Sequence, residues 1–509
     1  MLNKHLFNVL FIGAVLFLSI VYSYHRELFK RPHAIHTWRQ CDGAQMALNY
    51  YQEDMNFFEP RLSLCVGNDG KMGSEFPIVY YAAACLYKIF GFHEGFIRLI
   101  SICFFYTGLF FLFKTISLFL DDRFYGVVIS LMFFTSPLVI DYAFNFLPDV
   151  PAISLTFIAY YYVLGYFKNR TSNSLWIATF FFAFAGLLKV TALIGYFGII
   201  GVMALQLLFA LAKANMSSVT VPKKAFIGLL ILPVLITALW VSYIKHYNIA
   251  NNNTYFLTTT RPYWNMTSGA IAEVWDWLHH RWMHAITYRG FLYCIPFLFL
   301  LAFTLITRKT FRPLLWLLIV TVQCVAYFIL FFAQFKVHDY YLLPFIIIPV
   351  MLITLLLFQL KERNSSLLSS VFSKSVIFLV LLAMVVYGRR VNTKRDYHDG
   401  WSYCDAFYYI EPELVSHGIK KEDKIISIGD GSSGISLYFM NRRGWTSMTL
   451  THPIAVSDIK DCLAKGSKYI ALNTQVEGTM AEEAKQKYLN NEVLFINGIK
   501  FYKLTQDKQ

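Results

Sequence analysis

Eleven apolar runs of roughly twenty residues, joined by polar connections, limit what this chain can fold into more than any other feature. They fall at 6–23, 96–113, 124–140, 151–167, 175–190, 191–212, 226–244, 290–307, 313–333, 341–359 and 375–388. About twenty apolar residues in helical form cross a bilayer's hydrocarbon core. A backbone in hydrocarbon must satisfy its own N–H and C=O groups, and for runs of this length the helix does so. The expected fold class is an α-helical polytopic membrane protein with about eleven transmembrane helices. Composition agrees: of 509 residues, 57% are hydrophobic and only 15% charged, where soluble domains carry about a quarter charged. Leu6–Tyr22 lacks a small-residue cleavage site before His25-Arg26 and reads as a retained helix, not a signal peptide. Pro77–Phe90 is short and contains Lys88, which predicts an amphipathic helix lying at the interface.

The net charge is +14. Its basic residues sit mostly between apolar runs and do not form a stripe with interleaved aromatics, which excludes nucleic acid as the expected partner. With the N-terminus inside, five short loops carry Lys114 and Arg123; Lys168 and Arg170; Lys213, Lys223 and Lys224; Arg308, Lys309 and Arg312; Lys361, Arg363 and Lys374. The short connections on the other side carry only Lys189 and Lys336. This asymmetry orients the five loops toward the cytoplasm. Arg389, Arg390, Lys394 and Arg395 run against it, just ahead of a long segment where the rule weakens. The expected organisation is a transmembrane domain, 1–388, with outer loops 24–95 and 245–289, followed by a soluble extracytoplasmic α/β domain, 389–509. Strands are expected at 424–430, 468–472 and 493–497, with Asn497-Gly498 turning a hairpin into 500–504. Eight cysteines show no CxxC and no metal spacing. In an oxidising compartment, Cys41 with Cys65, or Cys404 with Cys462, are the pairs considered.

In that topology the unusual polar residues gather on the outer face. Residues 36–49, HTWRQCDGAQMALN, supply His36, Trp38, Arg39, Gln40 and Asp42, and the same loop adds Glu75. Later connections add Asp149 between Pro148 and Pro151, then Lys189, then Lys336, His338, Asp339, Tyr340 and Tyr341. Each has a bland reading. Asp149 can start a helix, Lys189 can snorkel from a helix end, and His338-Asp339 can anchor beside an interfacial tyrosine pair. Their convergence on one face argues for a single outward-opening cavity. No GxSxG, P-loop or HExxH is present. Gly429-Asp-Gly-Ser-Ser-Gly434 lacks a Walker lysine and dinucleotide spacing, and reads as a turn. What remains is carboxylates with cations. Arg and Lys neutralise charge on a departing phosphate, and a carboxylate takes the proton of an attacking hydroxyl.

These residues resemble those of GT-C class membrane glycosyltransferases, in particular the protein O-mannosyltransferase and aminoarabinose-transferase branch, over about residues 5–388. The motifs are Asp42 in the first outer loop, Glu75-Phe-Pro77 followed by an interfacial helix and Arg98, Leu147-Pro-Asp149-Val-Pro151, and His338-Asp-Tyr-Tyr341. Two departures stand out. Many relatives have Asp-Glu where this chain has Asp42-Gly43. The aminoarabinose transferases also have a phosphate-binding lysine near Glu75-Phe76-Pro77, which leaves Lys189, Arg39 or Lys336 for that task.

The resemblance implies an inverting glycosyltransferase. It would move a sugar from a polyprenyl-phosphate carrier to a lipid, glycan or protein acceptor on the outer face of a membrane, expected to be the bacterial inner membrane with the site facing the periplasm. Asp42 is the expected general base and Asp149 its assistant, with catalytic roles. His36, Trp38, Arg39, Gln40, Glu75, Lys189, Lys336, His338, Asp339 and Tyr341 are the expected substrate-binding residues. Some GT-C enzymes hold a divalent cation between acidic loops. Asp42 and Asp149 are a thin ligand set for one, so no cofactor is assigned. The alternatives are a transporter or flippase of lipid-linked sugars, a sugar-chain polymerase, and a sensor. Transporters place polar groups at mid-membrane on repeated halves, and this chain has neither feature. A sensor would need a cytoplasmic output domain, and none is read.

Overall fold

A computed structural model describes residues 2–212, 223–256, 260–395, 402–476 and 479–505. Lys213, one of the basic loop residues, lies outside them. The chain forms two compact units. One comprises Met1–Leu28, Arg98–Val241 and Thr258–Arg395; the other comprises Phe29–Ile97, Ser242–Leu257 and Asp396–Gln509.

The first unit is helical. Among the described residues, six helices are long and apolar enough to cross a membrane: Gly95–Leu120, Asp149–Asn169, Lys224–Ala250, Phe311–Leu330, Asp339–Arg363 and Val371–Asn392. A seventh span arises if the pair Ser268–Ile286 and Arg289–Thr304, bent by 86°, is counted as one. Shorter apolar helices at His5–Val21, Arg123–Phe134, Ser172–Leu188 and Val190–Leu205 cover the other expected runs. Local sequence sets the helix ends. Asp122 caps the Arg123 helix by accepting from Phe124 N at 2.8 Å and Tyr125 N at 3.3 Å. The Asp149 helix begins in its proline pair and ends at Arg170, which takes a left-handed φ of 58°.

Small residues set the spacing between helices. A Cβ added at Gly108 would lie 2.4 Å from Ser154 Cβ and 2.5 Å from Ser154 Cα, so the Gly95–Leu120 and Asp149–Asn169 helices touch at backbone distance. Gly108→Val is therefore expected to destabilise the unit by about 1–3 kcal/mol through overpacking. Thermal unfolding in detergent would register this as a lowered midpoint.

The second unit carries a five-stranded sheet of order β2-β1-β3-β5-β4. The strands are β1 Lys424–Ile428, β2 Gly444–Thr446, β3 Ser467–Asn473, β4 Glu492–Ile496 and β5 Ile499–Lys503. β2, β1 and β3 run parallel, while β5 is antiparallel to both β3 and β4. Asn497 and Gly498, at φ 50° and 80°, make the expected hairpin turn. Ile426, Ile428, Ile470, Trp445 and Tyr502 belong to its core. The helix Ile78–Phe90 forms where an interfacial helix was expected and packs on Thr37–Gln52.

Hydrogen bonds join the unit's three stretches of chain. Gly444 N donates to Ser63 O at 3.0 Å, and Cys65 N donates to Gly444 O at 2.6 Å. Asn248 exchanges two bonds with the Gly73 backbone, at 3.0 and 2.9 Å. Gln45 accepts from Ser63 N at 2.9 Å and donates to Gly434 O at 3.2 Å. These bonds fix the Thr37–Gln52 helix against the loop after β1.

Candidate active site

Asp42 sits one turn into the Thr37–Gln52 helix and is 1% exposed. Its two oxygens are held by hydroxyls from distant segments. Ser433 Oγ donates to Oδ1 at 2.6 Å, and Tyr255 OH donates to Oδ2 at 2.9 Å. Trp38 Nε1 lies 2.7 Å from both hydroxyl oxygens and donates between them. Arg39 Nη1 stands 4.0 Å from Asp42 Oδ2, while its Nη2 pairs closely with Glu75. Glu75 also accepts from Tyr80 OH at 3.1 Å and from Ser74 Oγ. Burial pushes the Asp42 carboxyl up to about 6; Arg39 and the two hydroxyls act against the rise, and Glu75 adds to it. A carboxylate poised near 6 is ionised at neutral pH yet basic enough to take a proton.

The loop after β1 is built to deliver Ser433. Asp430 is fully buried; it accepts from Ser432 N at 2.8 Å and Oγ at 2.6 Å, and from Ser436 N at 2.8 Å and Oγ at 2.5 Å. Burial raises its carboxyl above the ordinary value, and the serines oppose the rise. Thr446 Oγ1 donates to Ser432 O at 2.6 Å, tying the loop to β2. The segment that reads as a turn is a turn, and it also carries a hydroxyl to Asp42. Gly43 accounts for one departure from the family pattern. A Cβ there would meet Tyr80 Cε1 at 2.5 Å, so glycine admits the ring that donates to Glu75.

The helical unit holds a second group. Lys189 Nζ lies 3.1 Å from Asp149 Oδ1 and 3.3 Å from Oδ2. It also stands over the rings of Tyr340 and Tyr341, at 5.3 and 5.9 Å from their centroids. His338 stacks beside Tyr341 with ring centroids 5.7 Å apart. A lysine held between a carboxylate and two aromatic faces is a partly desolvated cation suited to an anionic ligand. Asp339 points elsewhere. It is fully buried, accepting from Tyr142 OH at 2.5 Å and from Arg395 Nη2 at 2.5 Å. Arg395 also pairs with Asp141 at 3.2 Å. Lys336 pairs with Glu273 at 2.6 Å, at the surface.

Of the residues expected from sequence, the structure brings together Trp38, Arg39, Asp42 and Glu75 in one unit. In the other it brings together Asp149, Lys189, His338 and Tyr341. His36, buried with a φ of 56°, starts the Asp42 helix. Gln40 donates to His33 O at 2.7 Å and Ile35 O at 2.9 Å, bracing the chain before that helix. Ser433 and Tyr255 were not singled out. They lie 391 and 213 residues from Asp42, and no local pattern connects them to it. All eight cysteines are free thiols, so neither pair considered from sequence is bonded. Among the described residues, no three His, Cys, Asp or Glu side chains gather to hold a metal ion.

Comparison with known proteins agrees with this architecture. The family model of dolichyl-phosphate-mannose-protein mannosyltransferases matches residues 74–240. No curated protein sequence matches the chain. The fold is similar to that of ArnT from Cupriavidus metallidurans, solved in the apo state and bound to undecaprenyl phosphate. Each ArnT structure has a TM-score of 0.59 and 12% identity; 98% of this chain and 98% of that one align in the apo form, and 97% of each in the bound form. It is also similar to the arabinofuranosyltransferase AftD from Mycobacteria, with a TM-score of 0.53, 12% identity, and coverage of 98% of this chain and 40% of that one. The Archaeoglobus fulgidus oligosaccharyltransferase aligns with a TM-score of 0.51 and 11% identity over 92% of this chain and 71% of that one. The resemblance to GT-C glycosyltransferases read from the sequence is thus met by the family model over a third of the chain and by the fold over nearly all of it. The fold is that of an integral membrane protein.

Proposed function

We propose that this protein is an inverting glycosyltransferase that takes a sugar from a polyprenyl-phosphate carrier and passes it to an acceptor on the outer face of the membrane. The observation that carries the proposal is the Asp42 cluster: one carboxylate with its basicity raised by burial, oriented by two hydroxyls and an indole. The ArnT and mannosyltransferase likenesses support the donor class. The three segments placed outside by charge, 24–95, 245–289 and 389–509, supply most of the second compact unit, and this supports a shared outward location for Asp42, Tyr255 and Ser433.

In the reaction, the acceptor's oxygen or nitrogen attacks the anomeric carbon on the face opposite the carrier. Asp42 takes the acceptor's proton. The anomeric C–O bond breaks, and its electron pair leaves with the polyprenyl phosphate. Each Asp42 oxygen keeps a lone pair beyond the one used by Ser433 or Tyr255. Within the helical unit, Lys189, paired with Asp149, is by itself a cation suited to a phosphate, and its contact with one strengthens as negative charge develops there.

Turnover in detergent tests the proposal. Purified protein mixed with a polyprenyl-phosphate sugar should release polyprenyl phosphate in an acceptor-dependent way. Movement of intact carrier between leaflets without cleavage would make it a flippase instead. The rate should fall as pH drops below about 6, where Asp42 takes up its proton. Ser433→Ala removes a hydrogen bond that favours the ionised form, so the acidic limb should move up by about one pH unit. An unmoved limb would detach Ser433 from the reaction.

A further inference from the structure

We propose that the helical unit holds one anionic phospholipid in a cavity at its basic end, remote from Asp149 and Lys189. The cavity, of about 300 Å³, lies among the Gly95–Leu120, Asp149–Asn169, Leu193–Ala212, Phe311–Leu330 and Ile347–Arg363 helices. Its walls are apolar along most of their depth, and Arg170, Lys309 and Arg312 line it as well. Along the Asp149–Asn169 helix the lining runs from Tyr160 to Arg170, about 15 Å at the helical rise. That is half of a ~30 Å hydrocarbon core, the depth of a single leaflet. Arg170 is about 30 Å from Asp149 along the same helix.

The headgroup end is positive. Lys309 pairs with Glu362 at 2.6 Å, whereas Arg170 and Arg312 have no carboxylate partner among the described residues and are exposed. Two unpaired guanidiniums at the mouth of a leaflet-deep apolar cavity match a phosphodiester with acyl chains beneath it. Trp316, one turn deeper than Arg312, also lines the cavity. Its buried Nε1–H has no hydrogen-bond partner, a donor at about the depth of a phospholipid's ester carbonyls. A polyprenyl carrier fits less well, because its chain is longer than one leaflet and has no ester groups. The proposal is independent of the reaction assigned to Asp42.

Native mass spectrometry of the purified full chain, titrated with dioleoylphosphatidylglycerol, dioleoylphosphatidylcholine or a polyprenyl phosphate, tests it. One phosphatidylglycerol should be retained at concentrations where phosphatidylcholine is not. Arg170→Gln with Arg312→Gln should weaken that retention about 30-fold, at the scale of electrostatic attraction to anionic lipid. The control pair Arg389→Gln with Arg390→Gln should leave it unchanged. Equal retention of the two phospholipids, no loss in the Arg170/Arg312 variant, an equal loss in the control, or displacement of phosphatidylglycerol by polyprenyl phosphate would each overturn the proposal. Sugar transfer, read separately, keeps this outcome distinct from the fate of the Asp42 assignment.

Discussion

Asp42→Asn is expected to cut sugar transfer by at least about 10²-fold, the usual range for losing a general base, while the protein remains folded. Linkage gives a second readout with the opposite sign. The folded carboxyl titrates at about 6, and its ordinary value is 3.8. Between those values the native state binds more protons than the unfolded chain, so stability falls as pH rises through this window. Above pH 6 the ionised, buried carboxylate costs on the order of 3 kcal/mol. The Asn variant lacks that charge, so its melting temperature at pH 7.5 should match or exceed that of the native protein. At pH 4.5, where native Asp42 is mostly protonated, the difference should shrink. An Asn variant that transfers sugar at the native rate would remove Asp42 from the mechanism. One that is inactive but less stable at pH 7.5 would mean the carboxylate is better solvated than its surroundings indicate.

Arg395→Met should be among the most destabilising single changes in the helical unit, by about 3–5 kcal/mol. Arg395 is 6% exposed and Asp339 not at all, so losing the guanidinium leaves a buried carboxylate without its arginine, although Tyr142 OH still donates to it. Removing both charges tests this account. Arg395→Met combined with Asp339→Asn retains the Tyr142 contact and should recover most of the loss, because well-packed neutral groups often replace a buried ion pair at little cost. Thermal unfolding of the two single variants and the double variant would measure the coupling directly. If the double variant is no more stable than Arg395→Met alone, the guanidinium matters chiefly for its packing. The pair also accounts for one of the four basic residues that run against the charge rule: Arg395 is buried against Asp339 and Asp141.

The helices were legible because an apolar run of membrane length leaves the backbone few alternatives. Helices form in each expected run, but among the described residues only six, or seven with the bent pair, are long and apolar enough to cross a membrane, and the run 124–140 is broken between Phe134 and Pro137. β1, β3, β4 and β5 were legible from their β-branched and aromatic runs and the Asn497-Gly498 turn. β2 was not: Gly444–Thr446 is three residues long and becomes a strand only by pairing with β1. The site divides along the same line. Asp42, Arg39 and Trp38 stand within one helical turn or so, and a cluster of that kind can be read locally. Ser433 and Tyr255 gain their meaning from tertiary proximity, which composition does not encode. Gly43 looked like a loss from the family pattern, but it makes room for Tyr80, which that pattern could not foretell.

The Asp42–Ser433 bond also sets a schedule for biosynthesis. Its partners are separated by 391 residues, which at roughly 5–20 residues per second takes a ribosome about 20–80 s to make. Throughout that interval Asp42 lacks the serine hydroxyl that favours its ionised form. The site is therefore completed only after position 433 has been made, when the hydroxyl that steadies the ionised carboxylate arrives.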